Sequence, residues 1–330
     1  MSIDAVTERT FSNVLKQFPE INRSEKVQVT FNRYPNGFLI ARHTDASGFL
    51  KNSIRDKTKR DTLSILLAQT NIITRLGTKS FTISVPVNQL VKQEKIKAIK
   101  LVNESILLWT EENVYKIPAS EKALQRVDTV IENIKLIHNL DNKFSDKFLI
   151  PQFLNEQSKV SFTPLCKQLT LNNDEINLLD SFLERYLNYS LQYAQCNQLV
   201  TGFQHGDMHY KNIFLKNSSE LCITDLDMIS EEGYPFIDLM HFTIHLIRTK
   251  ERLSQHQPFE TFLADKSYLF NKLLEYKFPK LAEIWIRYYS DDYIPIYIQN
   301  RLEWYKKNRV SGNEIESLQQ IEQKYNADRP

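Results

Sequence analysis

The residues best equipped for chemistry crowd into one stretch, residues 203–227, which reads FQHGDMHYKNIFLKNSSELCITDLD. It holds His205, Asp207, His209, Asn212, Asp225 and Asp227. A carboxylate and an amide oxygen, from Asp225 and Asn212, suit magnesium, which takes hard oxygen ligands and shares them with phosphate oxygens. A separate carboxylate, Asp207, suits the orientation of a hydroxyl and the acceptance of its proton. These are the needs of phosphoryl transfer from a nucleotide, where positioning and charge stabilisation outweigh covalent work.

The elements that must position these groups are short. Residues 213–215 read as an extended run, Asn217-Ser218-Ser219 has the composition of a turn, and residues 221–224 return as a second strand. The chain folds back on itself there, so Asp207, Asn212 and Asp225 converge. In an extended segment Asp227 projects from the same side as Asp225.

His205-Gly206-Asp207, then Asn212, then Ile223-Thr224-Asp225 resemble the catalytic core of the aminoglycoside phosphotransferase and choline kinase-like superfamily, small-molecule relatives of the protein kinases. The resemblance runs on into Gly233-Tyr234-Pro235-Phe236-Ile237-Asp238-Leu239 and spans about forty residues. It implies an α+β, two-lobed, protein-kinase-like fold: a small β-rich N-lobe at residues 96–163 with an N-terminal elaboration at 1–95, and a larger helical C-lobe at 164–330. It further implies ATP as donor, Mg2+ as cofactor and a small-molecule hydroxyl as acceptor. Asp207 would be the catalytic base. His205 would pack under the loop and fix its backbone. His209 would orient Asp207, touch the γ-phosphate or make a simple loop hydrogen bond. Asn212 and Asp225 would hold magnesium, with Asp227 at a second ion or just outside the site. Asp238 would be buried and would accept hydrogen bonds from the loop backbone. The segment from Gly233 onward is similar to members associated with bacterial surface-polysaccharide synthesis. A sugar or glycan acceptor is therefore expected first, with an aminoglycoside or amino alcohol as the alternative.

Upstream, residues 96–102, 106–109 and 114–117 read as three short strands. The last carries Lys116 in an apolar setting. Either it alternates outward to solvent, or it is the nucleotide-phosphate lysine that the resemblance implies. A helix follows from Ser120, a good N-cap, with Leu124, Val127, Ile131, Ile134 and Ile137 as its apolar stripe. Asp128 and Glu132 flank that stripe, and Glu132 is the expected partner of Lys116. Residues 148–153 and 160–162 read as strands. Thr163-Pro164-Leu165 then reads as the hinge, where the backbone of Thr163 and Leu165 would meet adenine. No glycine lies between Gly77 and Gly202. The usual glycine-rich phosphate cover is therefore absent, and Asn103, Glu104 and Ser105 form the turn in its place.

The first ninety residues or so carry no catalytic pattern. Residues 10–18 have helical spacing, 27–31 and 81–87 alternate as strands, 61–75 suit a helix, and 51–60 form a polar, basic stretch. Beyond the core, a helix is expected from Asn173 to residue 191. Further helices are expected at 259–263, 268–276, 281–289 and 293–304, with a polar, amphipathic tail after Ser311. The tyrosines and tryptophans of those helices read mainly as packing, although aromatics beside polar groups also suit a sugar ring.

The net charge of +2 gives no reason to invoke nucleic acid. No run of about eighteen apolar residues suggests a membrane span, and the polar N-terminus does not resemble a signal peptide. Three separated cysteines, Cys166, Cys196 and Cys222, fit buried thiols in a reducing compartment, so a cytoplasmic location is expected. Two rival functions remain at this stage. His205-x-Asp207-x-His209, with His241 and His245, has the spacing of a metal-dependent hydrolase. A nucleotide-binding pseudokinase would keep the fold without turnover.

Overall fold

Short apolar runs rich in Ile, Leu and Val, separated by polar turns, give this chain its first sheet. The computed structural model describes residues 26–53, 59–70, 81–86, 96–102, 104–153, 159–191, 199–217, 219–308 and 312–327. The helix expected at 10–18, Asn103 and Cys196 lie outside the described residues.

The chain divides into two units. One comprises residues 1–134 and 149–168, the other 135–148 and 169–330. Residues 135–148 thus belong with the later part of the chain. The first unit is rich in sheet and the second, larger unit is mostly helical. This is the α+β organisation predicted from the sequence, a sheet-rich unit and a larger helical one.

In the first unit, β1 (Lys26–Arg33), β2 (Leu39–Ala41), β3 (Phe81–Pro86), β4 (Ala98–Val102), β5 (Ser105–Trp109), β6 (Asn113–Pro118), β7 (Gln152–Phe153) and β8 (Ser161–Pro164) form one antiparallel sheet in the order β3-β1-β2-β4-β5-β6-β8-β7. The segment expected as an elaboration therefore extends the same sheet, through the pairing of Leu39 with Ile99. The pleat sends neighbours to opposite faces. Leu39 and Ile99 join Phe31, Ile106, Leu108 and Tyr115 in one cluster. Ile40 and Ala98 join Phe38, Leu50 and Ile65 in another. Helices α1 (Ala46–Ser53) and α2 (Lys59–Gln69) supply Leu50 and Ile65 to the second cluster. Much of the polar stretch at 51–60 therefore belongs to helix ends.

The β4–β5 turn passes through Glu104 at φ 64, a left-handed conformation. Its carbonyl accepts from the Ala119 amide at 2.8 Å, and its carboxylate accepts from the Ser120 hydroxyl at 2.7 Å. Ser120 Oγ in turn accepts from the Ala123 amide at 3.1 Å, which caps α3 (Glu121–His138). The glycine-poor turn is thus pinned to the start of the following helix. A two-residue strand, β9 (Lys167–Gln168), ends this unit.

The second unit begins with the short helix α4 (Asn142–Ser145) and continues with α5 (Asn173–Ser190), capped by Asn172, one residue earlier than expected. Strands β10 (Gly202–Gln204), β11 (Ile213–Leu215), β12 (Leu221–Ile223) and β13 (Ser230–Gly233) follow. Helices α6 (Pro235–Glu251), α7 (Gln257–Ala264), α8 (Tyr268–Glu275), α9 (Pro279–Tyr288), α10 (Tyr293–Asn308) and α11 (Gly312–Ala327) complete it. Proline opens α6 and α9, where its missing N–H costs nothing. Phe236 stacks on Tyr293 and Trp285 on Tyr289, Phe262 meets Trp285 and Tyr289 edge-on, and Phe236 meets Trp285 at a tilt, so these aromatics serve packing. The expected tail is the ordered helix α11, with Leu318 and Ile321 buried. Among the described residues no helix is long and apolar enough to cross a membrane.

Candidate active site

The loop between β10 and β11 carries the chemistry, and its shape begins with Gly206. At φ 83, a Cβ there would lie 2.6 Å from the Met228 carbonyl oxygen, so only glycine fits. The turn at Gly206 exposes two amides to Asp238 on α6. Asp238 Oδ1 accepts from Gly206 N–H at 2.9 Å, and Oδ2 accepts from His205 N–H at 2.7 Å. The Tyr186 hydroxyl, from α5, donates to the same Oδ2 at 2.7 Å. Asp238 is buried, as expected. Burial pushes its carboxyl up, and the three donors partly offset that cost.

His205 is completely buried. Its Nε2 lies 2.9 Å from the Thr224 carbonyl oxygen, and its Nδ1 lies 3.4 Å from the Asp207 amide. The carbonyl can only accept and the amide can only donate, which fixes the Nε2–H tautomer. With both nitrogens committed to backbone, His205 fixes the loop from beneath. This is the supporting role that the resemblance implies, and it leaves the histidine no lone pair for the metal site of the hydrolase reading. Among the described residues, no group of three His, Cys, Asp or Glu side chains is placed to hold a metal.

Thr224 ties the two halves of the site together. Its amide donates to the Asn212 carbonyl at 2.8 Å, and its hydroxyl donates to the same oxygen at 3.2 Å. The β11–β12 hairpin, with Ile213 opposite Ile223, brings these residues to one end. Asn212 Nδ2 donates to the Asp207 carbonyl at 3.0 Å, which turns Oδ1 away from that contact. Asp225, next after Thr224, is exposed and sits at φ 64. Asp227 follows within a 3-10 turn, Leu226–Met228, and not in a strand. The alternation that would project Asp225 and Asp227 from one side is therefore absent. The strand ends at Ile223, and the left-handed Asp225 then turns the chain into the 3-10 turn.

The Asp207 side chain is half-buried and densely partnered. His241 Nε2 lies 3.1 Å from Oδ1, Arg301 Nη1 lies 3.4 Å from Oδ1, and His209 Nε2 lies 3.5 Å from Oδ2. Burial alone would raise its carboxyl. The donors His209 and His241 outweigh burial and hold it well below the usual carboxylate range. His241, buried beside the Arg301 cation, is pulled down to about 3 and is neutral. His245 is likewise pushed far down, by burial first and then by His209 and His241. Its ring stacks on His209 with centroids 4.5 Å apart. Neither of these two rings has a hydrogen-bond partner for Nδ1 among the described residues.

Arg301 and the contact made by His241 were missed from sequence, although signals exist for both. Arg301 lies on the buried stripe of α10 with Tyr293, Tyr297 and Tyr305, four residues apart. A cation at a core position needs partners. His241 lies three residues beyond Asp238 on α6, and so shares its face.

In the first unit, Lys116 lies in β6 opposite Leu107 and Ser161. Among the described residues no ion pair joins it to Glu132, which is exposed on α3. The other acidic candidate, Asp128, pairs with Lys159. The expected Lys116–Glu132 pair is therefore not formed. Thr163 lies within β8, opposite Val114. The Leu165 amide donates to the Glu112 carbonyl at 2.6 Å while its side chain is exposed. That amide is thus already engaged.

No protein-family profile and no curated protein sequence matches the chain. Among solved structures it is similar to choline kinase LicA from Streptococcus pneumoniae. The identity is 12% and the TM-score 0.43, over 73% of this chain and 97% of that one. A likeness that loose carries no weight in assigning activity, which rests on the geometry above.

Proposed function

We propose that the protein is a small-molecule kinase that transfers a phosphoryl group from Mg·ATP to a hydroxyl. The observation that carries this reading is the way Thr224 and Asn212 bind the Asp207 loop to the hairpin that delivers Asp225. That network places an ionised carboxylate, an amide oxygen and an exposed carboxylate on one small scaffold.

Asn212 Oδ1 and Asp225 are hard oxygen donors and fit magnesium, which keeps several waters and phosphate oxygens of its own. When bound, the ion neutralises phosphate charge. Asp207 orients the acceptor hydroxyl and takes its proton. A low carboxylate pKa suits this work, because the hydroxyl loses its proton late and geometry dominates. Asp238 and His205 hold the loop backbone. Lys116 is proposed as the phosphate lysine, without Glu132 as its partner, and the strand end at Thr163 as the place of the adenine. Asp227 is proposed beside the metal. The acceptor is proposed to be a sugar or glycan, on the resemblance of the Gly233 segment, and the protein is proposed to work in the cytoplasm.

Thermal unfolding with and without Mg·ATP tests the reading, on wild type and on Asp225→Ala. A ligand that binds only the folded state raises the melting temperature. The expected result is a rise in wild type that disappears in Asp225→Ala. ATP consumption is then screened with sugars first, followed by aminoglycosides and amino alcohols. No nucleotide shift, combined with stabilisation by zinc alone, overturns the kinase and favours a hydrolase. Nucleotide binding with no transfer to any acceptor or to water marks a pseudokinase.

A further inference from the structure

Two helices reach the Asp207 carboxylate from outside its own loop. From α10, the Arg301 guanidinium donates through Nη2 to the Gly206 carbonyl at 3.1 Å and through Nη1 toward Asp207 Oδ1 at 3.4 Å. From α6, His241 Nε2 meets the same Oδ1 at 3.1 Å. Arg301 Nη1 also lies 3.2 Å from His241 Nε2 and 3.5 Å from its Nδ1, so the cation sits against the imidazole. The Trp304 ring is 5.4 Å from the guanidinium carbon, and Tyr297 Oη is 3.5 Å from His241 Nδ1. Arg301 is only 6% exposed, so its charge faces this cluster more than solvent.

We infer that Arg301 and His241 are positioning residues for Asp207, which hold Oδ1 and leave Oδ2 as the oxygen presented to the acceptor hydroxyl. The inference rests on the kinase reading. Without the clamp the carboxylate turns freely about its Cβ–Cγ bond and presents either oxygen. With it, one oxygen is committed to two donors, and the guanidinium fork also fixes the Gly206 peptide beneath. In the transfer, the acceptor oxygen bonds to the γ-phosphorus and the bond to the bridging oxygen breaks. That electron pair leaves with ADP, and the hydroxyl proton passes to Asp207 Oδ2. His209, 3.5 Å from Oδ2, borders that oxygen and narrows the approach of the acceptor.

The test uses the full chain and Mg·ATP alone, with water as the acceptor, and reads kcat and KM for phosphate release. Arg301→Met and His241→Leu are expected to lower kcat by about tenfold to a hundredfold, the penalty of a misoriented catalytic group. KM for ATP should stay within about twofold, because neither residue is assigned to nucleotide binding. His241→Gln carries an amide N–H near the imidazole Nε2 and should keep kcat within about threefold of wild type. Arg301→Lys should fall between, since one ammonium does not reproduce the fork. Nitrogen-15 spectra of the apo protein supply a readout independent of turnover. The clamp requires the Nε2–H tautomer of His241.

Wild-type kcat in His241→Leu, a His241→Gln variant as impaired as His241→Leu, or an Nδ1–H tautomer overturns the clamp while leaving the kinase in place. A wild type that neither responds to Mg·ATP nor releases phosphate overturns the kinase reading, and the clamp falls with it.

Discussion

Asp207 is unusual in how many groups attend one carboxylate. Two imidazoles and a guanidinium lie within 3.5 Å of its oxygens. His241 serves it as a neutral donor, and this has a consequence for stability. His241 drops from 6.5 to about 3 on folding, because burial and then Arg301 disfavour its charged form. Between those values the unfolded chain binds a proton there that the folded chain refuses. Stability therefore falls as pH falls through that window, by about 1.4 kcal/mol per pH unit for each such histidine. His245 adds to the same slope. Urea unfolding from pH 7 to pH 5 should show the decline, and His241→Gln should make it shallower. An unchanged slope in that variant would mean that the imidazole is not held neutral.

At the scale of elements, α6 braces the loop through one side chain. Both Asp238 oxygens accept from donors: Gly206 N–H on one, His205 N–H and the Tyr186 hydroxyl on the other. Asp238→Ala leaves those donors buried without an acceptor, at about 1–3 kcal/mol for each. Removal of a costly buried carboxylate returns part of that, so a net loss of about 2 kcal/mol or more is expected. Asp238→Asn should be nearly as damaging, since its amide nitrogen must face another donor. Chemical denaturation of both variants checks this, and a stable Asp238→Asn would show that one acceptor suffices. Gly206→Ala places a methyl against the Met228 carbonyl at a backbone angle that alanine resists. A loss of about 1–3 kcal/mol is expected from backbone strain, read as a drop in melting temperature.

At the scale of the whole molecule, the division into units does not follow the chain. Residues 135–148 join the second unit, although residues 149–168 belong to the first. The reason lies in aromatic packing. Phe144 stacks on Tyr186 at 5.5 Å and on Tyr189 at 3.8 Å, and Phe148 meets Phe203 at 5.5 Å. The Ile223 amide donates to the Lys147 carbonyl at 2.7 Å, which joins this segment to β12. A fragment of residues 169–330 loses two buried phenylalanines, each worth about 3–5 kcal/mol. It should unfold without a cooperative transition, whereas residues 135–330 should retain one. Near-ultraviolet circular dichroism during urea titration distinguishes them. A cooperative 169–330 fragment would make the aromatic segment dispensable.

The sequence by itself determined the local features. Asp207, Asn212 and Asp225 stand out because a short hairpin needs only a turn and two apolar runs to bring its ends together. The burial of Asp238 was legible from its apolar neighbours, and Ser120 as a cap from its side chain. Most helices past residue 258 follow from their apolar spacing. Only the tertiary structure decided the rest. It placed Arg301, some ninety residues downstream, on the Gly206 carbonyl, a pairing set by how α10 packs and not by any spacing. It turned His205 inward onto Thr224, broke the alternation at Asp225, paired Asp128 with Lys159 in place of any Lys116–Glu132 pair, and moved residues 135–148 to the second unit. Periodicity reports which face of one element is apolar. Which buried charge meets which carboxylate depends on the packing of elements distant in sequence, and no local pattern encodes it.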